Sequence, residues 1–447
     1  MDQDTIAAIS TAPGRAGLAV VRLSGPDVDR IAGQLGLPSL PPREAVFGRL
    51  RHPDDGRRLD RVVATRFAGP ASYTGETVLE ISCHGGGLVP PLILDAACAA
   101  GARLAEPGEF ARRAFLNGKL DLIQVEATLD LIDARSEAGH ATALFQLDGG
   151  LSRRIGQLRE RLLRLQAMLS YEIDFPEEDD GPIAEADIRQ ATDELTSELD
   201  EMLLHAPDGE LVREGALTVI AGKPNSGKSS LFNSLLGEAR AIVTEIPGTT
   251  RDAIEAVVSV AGYPFRLVDT AGLRERADHV EGLGIEVARR YLEHADLVVF
   301  CVEADRAPEA EELEFVTREK ERRPVVLVRT KADLGAADPD DGLDGIPVSS
   351  HAATGMDRLR ESLLETAFSG VGSPAETPLL TRRRQVRQVR RASEEVREFR
   401  AACESGLPPE IASTHLQDAT IAMEALLGVV ETEDVLDLVF SSFCIGK

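Results

Sequence analysis

Positions 222–229 read Gly-Lys-Pro-Asn-Ser-Gly-Lys-Ser, entered from the apolar run LTVIAG and left through SLFNSLLG. This is G-x-x-x-x-G-K-S in a strand–loop–helix context, and its residue types are those a polyphosphate needs. Gly222 and Gly227 let backbone N–H groups turn toward an anion, and Asn225, Ser226 and Ser230 belong to the same turn. The following helix adds the positive end of its dipole, Lys228 reaches the terminal phosphates, and the Ser229 hydroxyl can ligate Mg2+.

Four later stretches extend this chemistry. Gly248-Thr249-Thr250 precedes Arg251; Asp269-Thr270-Ala271-Gly272 ends an apolar run; Thr330-Lys331-Ala332-Asp333 ends another; Val348-Ser349-Ser350, followed by His351, ends the last. Thr250 can complete a Mg2+ shell, Asp269 can hold the ion through water, and the Gly272 N–H can touch a γ-phosphate. The Asp333 carboxylate can accept two bonds from the N–H edge of guanine, where adenine offers no matching pair of donors, so the set implies GTP. Two positions depart from the common pattern. Thr330 stands where guanine-reading loops generally carry Asn, which predicts a less extensively supported loop, and Leu273 stands where Ras-type enzymes carry a water-orienting Gln.

The elements that hold these stretches are legible as apolar runs. Leu217–Ala221, Phe265–Asp269, Leu297–Val302, Val325–Thr330 and Ile346–Ser349 alternate with helical segments between about Leu211 and Gly370. That alternation predicts a parallel sheet with helices on both faces, and it puts each stretch where open α/β sheets bind ligands. Before it, Thr5–Ser10, Leu18–Leu23 and Val78–Ser82 read as strands and Pro91–Ala100 as a helix of a small α/β domain. Long helical periodicity runs from Leu120 to about Leu204 and again from Thr381 to Phe443, with Gly370–Pro378 as a linker. Short amphipathic helices rarely hold alone, so the two helical flanks are expected to pack together around an inserted α/β domain.

Composition sets the outer limits. With 447 residues, two or three domains are expected, and 49 basic against 75 acidic residues give a net charge of −26. Such a surface disfavours non-specific attraction to nucleic acid or anionic membrane. Any RNA contact needs a local patch, and Arg382–Arg384 with Arg387, Arg390, Arg391, Arg397 and Arg400 is the densest one, read equally as a solvated helix face laced with salt bridges. The acidic start and the absence of a long apolar window predict a cytosolic protein. Five scattered cysteines suggest neither a disulfide framework nor a zinc site. The acidic loop Glu177–Asp180 reads as a solvated connection, since it lacks calcium-loop spacing. The basic residues are nearly all arginine, and the six lysines (Lys119, Lys223, Lys228, Lys320, Lys331, Lys447) mark places where a compact, rotatable ammonium is preferred.

The stretches TIAAISTAPGRAGLAVVRLSG, YTGETVLEISCHGG and PGEFARRAFLNGKLDLIQVEA, the nucleotide set and the final CIGK together resemble the bacterial and organellar tRNA uridine-modification GTPases, which act on the wobble uridine. The resemblance implies an N-terminal α/β folate-binding dimerisation domain (1–118), a helical domain from two flanking segments (119–210 and 372–447), and an inserted Ras-like P-loop GTPase domain (211–371). It implies a formyl- or methylene-tetrahydrofolate held by Arg22, Glu80, Lys119 and Lys447. It also implies a potassium ion at Asn225, Thr244, Ile246 and Thr249, within the loop that continues through Glu245, Pro247 and Gly248. Glu281 would position the hydrolytic water, with Lys228 and Thr250 at the phosphates. By the same resemblance the chain is a homodimer that joins an FAD-dependent subunit to install a carboxymethylaminomethyl-type group at carbon five of wobble uridine in certain tRNAs.

Two rival readings use the same GTPase core. A ribosome-assembly switch binding rRNA leaves PGEFARRAFLNGKLDL and the CIGK tail without a role, and a dynamin-like assembly protein would need a membrane anchor that the sequence lacks. Cys444, in that tail, reads as a small hydrophobe rather than a catalytic thiol.

Overall fold

The computed structural model describes residues 4–174, 185–238, 255–269, 283–335, 344–430, 433–443 and 445–446. The chain divides into two compact units, Met1–Leu129 with Glu424–Lys447, and Asp130–Met423.

The first unit is built on six strands: β1 (Ile6–Ile9), β2 (Leu18–Ser24), β3 (Ala45–Arg51), β4 (Arg58–Phe67), β5 (Val78–His84) and β6 (Arg103–Leu104). Their order is β3-β4-β5-β2-β1-β6, antiparallel except for the β1–β6 pair. Successive strand residues face opposite sides. Val21, Leu23, Leu79, Ile81 and Cys83 therefore turn into a core closed by helices Val28–Gln34 and Val89–Ala99. Val20, Arg22, Glu80 and Ser82 take the other face, where they are half-buried. β3 and β4 lie outside the apolar runs read from sequence, because their apolar residues form only short triplets, at 45–47 and 62–64, interrupted by charged ones.

The chain's end returns to this unit. Ile445 forms an antiparallel bridge with Pro107, and the Ser10 hydroxyl donates to the Gly446 carbonyl at 3.0 Å. Phe115, Phe440 and Phe443 pack with Ala111 and Val125 to seat helix Glu433–Ser441 against helix Glu109–Leu116.

The second unit holds the other six strands: β7 (Ala216–Gly222), β8 (Glu255–Val260), β9 (Tyr263–Asp269), β10 (Leu297–Glu303), β11 (Val325–Thr330) and β12 (Ile346–Pro347). The order is β12-β11-β10-β7-β9-β8. All neighbours are parallel except β8, which is antiparallel to β9. The central strands bury both faces: Leu297, Val299 and Cys301 of β10 join one core, and Val298, Phe300 and Val302 join the other. That two-sided burial is why they read as continuous apolar runs.

The five expected strands are parallel, and β8, which the sequence reading did not find, adds an antiparallel edge. β8 and β9 are joined through Ala261 and Gly262, at φ 49° and 86°, the positive-φ pair of a tight hairpin. Ala-Gly lacks the Asn-Gly or Asp-Gly signature that would have announced this turn.

The helices on either side of this sheet in sequence pack on each other. Asp200 of helix Glu185–Leu204 accepts from Ser393 at 2.8 Å and from Arg397 at 2.5 Å, and Asp193 pairs with Arg400. Gln166 of helix Gly150–Asp174 donates to the Leu416 carbonyl at 2.7 Å and to Thr420 at 2.8 Å. Asp130 accepts from Arg213 at 3.0 Å and from Arg382 at 2.6 Å. Much of the arginine run read as an RNA patch is therefore engaged with carboxylates: Arg382, Arg383, Arg391, Arg397 and Arg400 pair with Asp130, Glu210, Asp418, Asp200 and Asp193.

Candidate functional site

β7 delivers the chain into the phosphate loop, and helix Lys228–Glu238 carries it away. The turn between them uses three positive φ angles: 144° at Gly222, 64° at Asn225 and 81° at Gly227. A Cβ at Gly222 would stand 2.4 Å from the Cys301 carbonyl oxygen, and one at Gly227 would stand 3.1 Å from Thr330 Cβ. Glycine is thus required where the loop crosses β10 and where it meets Thr330 at the end of β11. Lys228 is buried and its ammonium donates to the Lys223 carbonyl at 2.5 Å. Ser229 and Ser230 are exposed in the first helical turn. Asp269 is buried at the end of β9. Ser229 and Asp269 are hard oxygen donors of the kind Mg2+ prefers, so the described residues fit that ion. A cavity of about 1150 Å³ opens here, lined among others by Gly222, Asn225, Lys228, Ser229 and Lys331.

The loop after β11, expected to read guanine, sits directly against the loop after β7. Thr330 is buried, and its hydroxyl lies 2.7 Å from the Ser226 carbonyl and 3.3 Å from that of Val302. A single hydroxyl proton thus carries the link that Asn would make with two amide hydrogens. Lys331 takes φ 58°, which turns the chain into the short 3-10 helix Ala332–Leu334. The fully buried Ser349 donates to Asp333 Oδ1 at 2.6 Å and accepts the Ala352 N–H at 3.0 Å. That hydroxyl, followed by the backbone N–H of Asp333 itself, holds the Asp333 carboxyl below the usual carboxylate range. Ser350 is half-buried and His351 exposed in the adjoining turn.

A chain of charges runs beneath both loops. Arg306 clamps Glu312 through two 2.7 Å bonds and donates to Glu303 at 3.1 Å, and Glu303 in turn pairs with Lys331. Lys223 of the phosphate loop pairs with Glu309, which caps helix Ala310–Lys320. The sequence reading missed Glu303, Arg306, Glu309 and Glu312. The scarcity of lysine, which singled out Lys223 and Lys331, was the only signal.

In the first unit, Arg22 and Glu80 face each other across β2 and β5 and bind one another, with Arg22 Nη2 2.8 Å from Glu80 Oε1. Arg22 and Glu80, which the resemblance implies as folate contacts, are thus paired with each other. The guanidinium also lies 5.5 Å from the Tyr73 ring and 5.7 Å from that of Phe110. Lys119 donates to the Pro70 carbonyl at 3.1 Å. Tyr73 and Pro70 belong to one loop, so it adjoins both Arg22 and Lys119. The loop is anchored by Ser24, which contacts Thr74 at 2.7 Å and Glu76 at 2.6 Å, and by Asn117, which donates to the Thr74 carbonyl at 2.7 Å. Beside it, Arg113 joins Asp4 at 2.6 Å, Glu109 at 3.0 Å and Glu76 at 3.3 Å. This network accounts for much of the stretch PGEFARRAF, which sequence reading left without a physical role.

Thr244–Thr250, Thr270, Ala271, Gly272, Leu273, Glu281, Cys444, Lys447 and the acidic loop Glu177–Asp180 lie outside the described residues. Among the described residues, no group of three or more His, Cys, Asp and Glu is placed to hold a metal ion, Cys83, Cys98, Cys301 and Cys403 form no disulfide, and no helix is long and apolar enough to cross a membrane.

Comparison with known proteins agrees with this geometry. A family model described as the MnmE helical domain matches residues 122–444, and one described as the N-terminus of the GTP-binding protein TrmE matches residues 5–119. The tRNA modification GTPase MnmE of Pseudomonas putida (strain GB-1) is 41% identical over 456 residues, spanning 100% of this chain and 99% of the relative. That of Geobacter sulfurreducens is 39% identical over 456 residues with the same coverage. Among solved structures, the G domain of the T. maritima FeoB iron transporter aligns with 34% of this chain and 97% of its own length at 30% identity, with a TM-score of 0.27. That score is too low to carry the fold, which rests on the strand order above. With family models over both parts and relatives matched end to end, the chain belongs to the MnmE family of tRNA modification GTPases.

Proposed function

We propose that this chain is a GTP-hydrolysing enzyme of tRNA modification. The observation that carries the reading is the pairing of the two nucleotide loops: Thr330 bonded to Ser226 and Ser349 bonded to Asp333 hold a guanine-reading carboxylate beside a phosphate loop. Lys228 and the helix that follows it face the phosphates, and Ser229, Thr250 and Asp269 would hold Mg2+. Asn225, Thr244, Ile246 and Thr249 would hold K+, with Glu281 orienting water in place of the missing Gln. When bound, the two cations supply positive charge against the developing charge on the transferred phosphate.

In the same reading, the domains divide at 118, 210 and 371, and Arg22, Glu80, Lys119 and Lys447 hold a tetrahydrofolate that supplies a one-carbon unit. The anchored tail supports this, since the Gly446–Ser10 bond keeps the chain's end beside β1, the neighbour of β2. The open face of the N-terminal sheet carries the cross-strand pair Phe47 and Val63, 57% and 42% exposed, which supports a homodimer. An FAD-dependent subunit would complete a cytoplasmic heterotetramer that places a carboxymethylaminomethyl-type group on wobble uridine. A ribosome-assembly role leaves that tail anchoring unexplained.

The test is GTP turnover in potassium against sodium at equal ionic strength. Faster turnover in potassium is expected. Equal rates would remove the cation roles of Asn225, Thr244, Ile246 and Thr249.

A further inference from the structure

We propose that Arg306 is a positioning residue for guanine-nucleotide binding, which with Glu303 and Glu312 props Lys331 and the guanine-reading loop where Thr330 supplies only one hydrogen bond. The inference rests on the GTP-binding reading and deepens it. Three cations (Lys223, Arg306, Lys331) and three carboxylates (Glu303, Glu309, Glu312) form one self-neutral set whose two ends lie on the two nucleotide loops.

The set is ordered from its middle. Glu312 is only 3% exposed, its two oxygens take the fork of Arg306, and Oε2 also accepts the Glu309 N–H at 2.9 Å. Bidentate pairing of this kind fixes orientation as well as charge. The hydrogen bond from Arg306 holds the Glu312 carboxyl below its ordinary range, and the bond to Glu312 raises Arg306 above its own. Arg306 is held from behind by Arg329 of β11, which donates to the Arg306 carbonyl at 3.2 Å. So fixed, Arg306 aims Glu303 at Lys331. Lys331 lines the nucleotide cavity and is two residues from Asp333. A lysine left to itself would lose its rotamer freedom on binding; one already held by a carboxylate loses less, which favours binding. At the other end, Lys223–Glu309 ties the phosphate loop to the same helix cap.

The experiment uses full-length protein stripped of nucleotide, with GDP, IDP and ADP competing against a fluorescent GDP. It compares wild type, Arg306→Gln, Glu303→Gln, Thr330→Asn and the double variant Arg306→Gln/Thr330→Asn. Arg306→Gln should weaken GDP about fivefold to tenfold and lower the GDP:IDP preference, because Asp333 reads the amino group that inosine lacks. Glu303→Gln, which leaves the Arg306–Glu312 clamp in place, should lower the same preference. Thr330→Asn should restore most of the loss in the Arg306→Gln background and change the wild type less. Affinity within twofold of wild type for both Arg306→Gln and Glu303→Gln overturns the proposal. So does a loss that Thr330→Asn fails to restore, or one that lowers thermal stability with an unchanged GDP:IDP ratio. Failure of the wild type itself to bind GDP would instead refute the GTP-binding reading.

Discussion

Replacing Arg113 with methionine removes the guanidinium around which Asp4, Glu76 and Glu109 converge, while keeping most of the stem's packing. The Arg113 side chain is 12% exposed. Breaking a buried ion pair from one side costs about 3–5 kcal/mol. Two features of the site reduce that figure. Asp4 and Glu76 remain 33% and 26% exposed, and Arg103 still holds Asp4 at 2.6 Å and Glu109 at 2.7 Å. About 2 kcal/mol at pH 7 is the resulting expectation for local stability of the first unit. The effect has a definite sign with pH. Burial works to raise Asp4 and Glu109, but hydrogen bonds from Arg103 and Arg113 outweigh it and hold both below the ordinary carboxylate range. Their contribution is therefore complete above the ordinary carboxylate pKa of about 4 and is lost as pH falls through the lower folded values. Hydrogen exchange of the full chain measures this directly. Amides of β1 and of helix Glu109–Leu116 should exchange about thirtyfold faster in Arg113→Met at pH 7, with the difference shrinking below about pH 4. A change under about threefold at pH 7, or an equal change at both pH values, would refute the reasoning.

Two further outcomes follow from particular contacts. Gly222→Ala forces a Cβ to within 2.4 Å of the Cys301 carbonyl at a φ of 144°, so nucleotide affinity measured by fluorescence titration should fall at least about a hundredfold while the helical bundle keeps its far-UV signal. Burial pushes the Cys301 thiol up to about 12, so a maleimide at pH 8 should label exposed Cys403 and spare Cys301 until the sheet opens. Labelling of both at similar rates would contradict the core position of β10.

The parts of the fold that sequence disclosed are those whose physics is local. The phosphate loop needs two glycines, one lysine and one serine within eight consecutive residues, and the central strands of the nucleotide sheet are buried on both faces, so both read directly from residue types. What stayed hidden depends on partners far apart in the chain. β3 and β4 carry only apolar triplets broken by charged residues, and the β8–β9 hairpin turns on Ala-Gly. The arginines from Arg382 along helix Arg383–Glu404 read equally as an RNA patch or a salt-bridged face, and only the positions of Asp130, Asp193 and Asp200 show the ion pairs. Arg22 and Glu80 were read as separate ligand contacts, and only the β2–β5 register shows that they meet. The same holds for Arg306, whose direct partners Glu303 and Glu312 belong to no motif.

The central claim is that the loop after β7 and the loop after β11 together select a guanine nucleotide through Asp333. Its most direct test is equilibrium competition of guanosine against adenosine nucleotides, at saturating Mg2+, in wild type and in Asp333→Asn. Wild type should prefer guanosine by a factor on the order of a thousand, because adenine leaves the carboxylate's acceptors unmatched, and Asp333→Asn should erase most of that preference. Equal binding of the two nucleotides by wild type, or a preference that survives Asp333→Asn, would contradict the account.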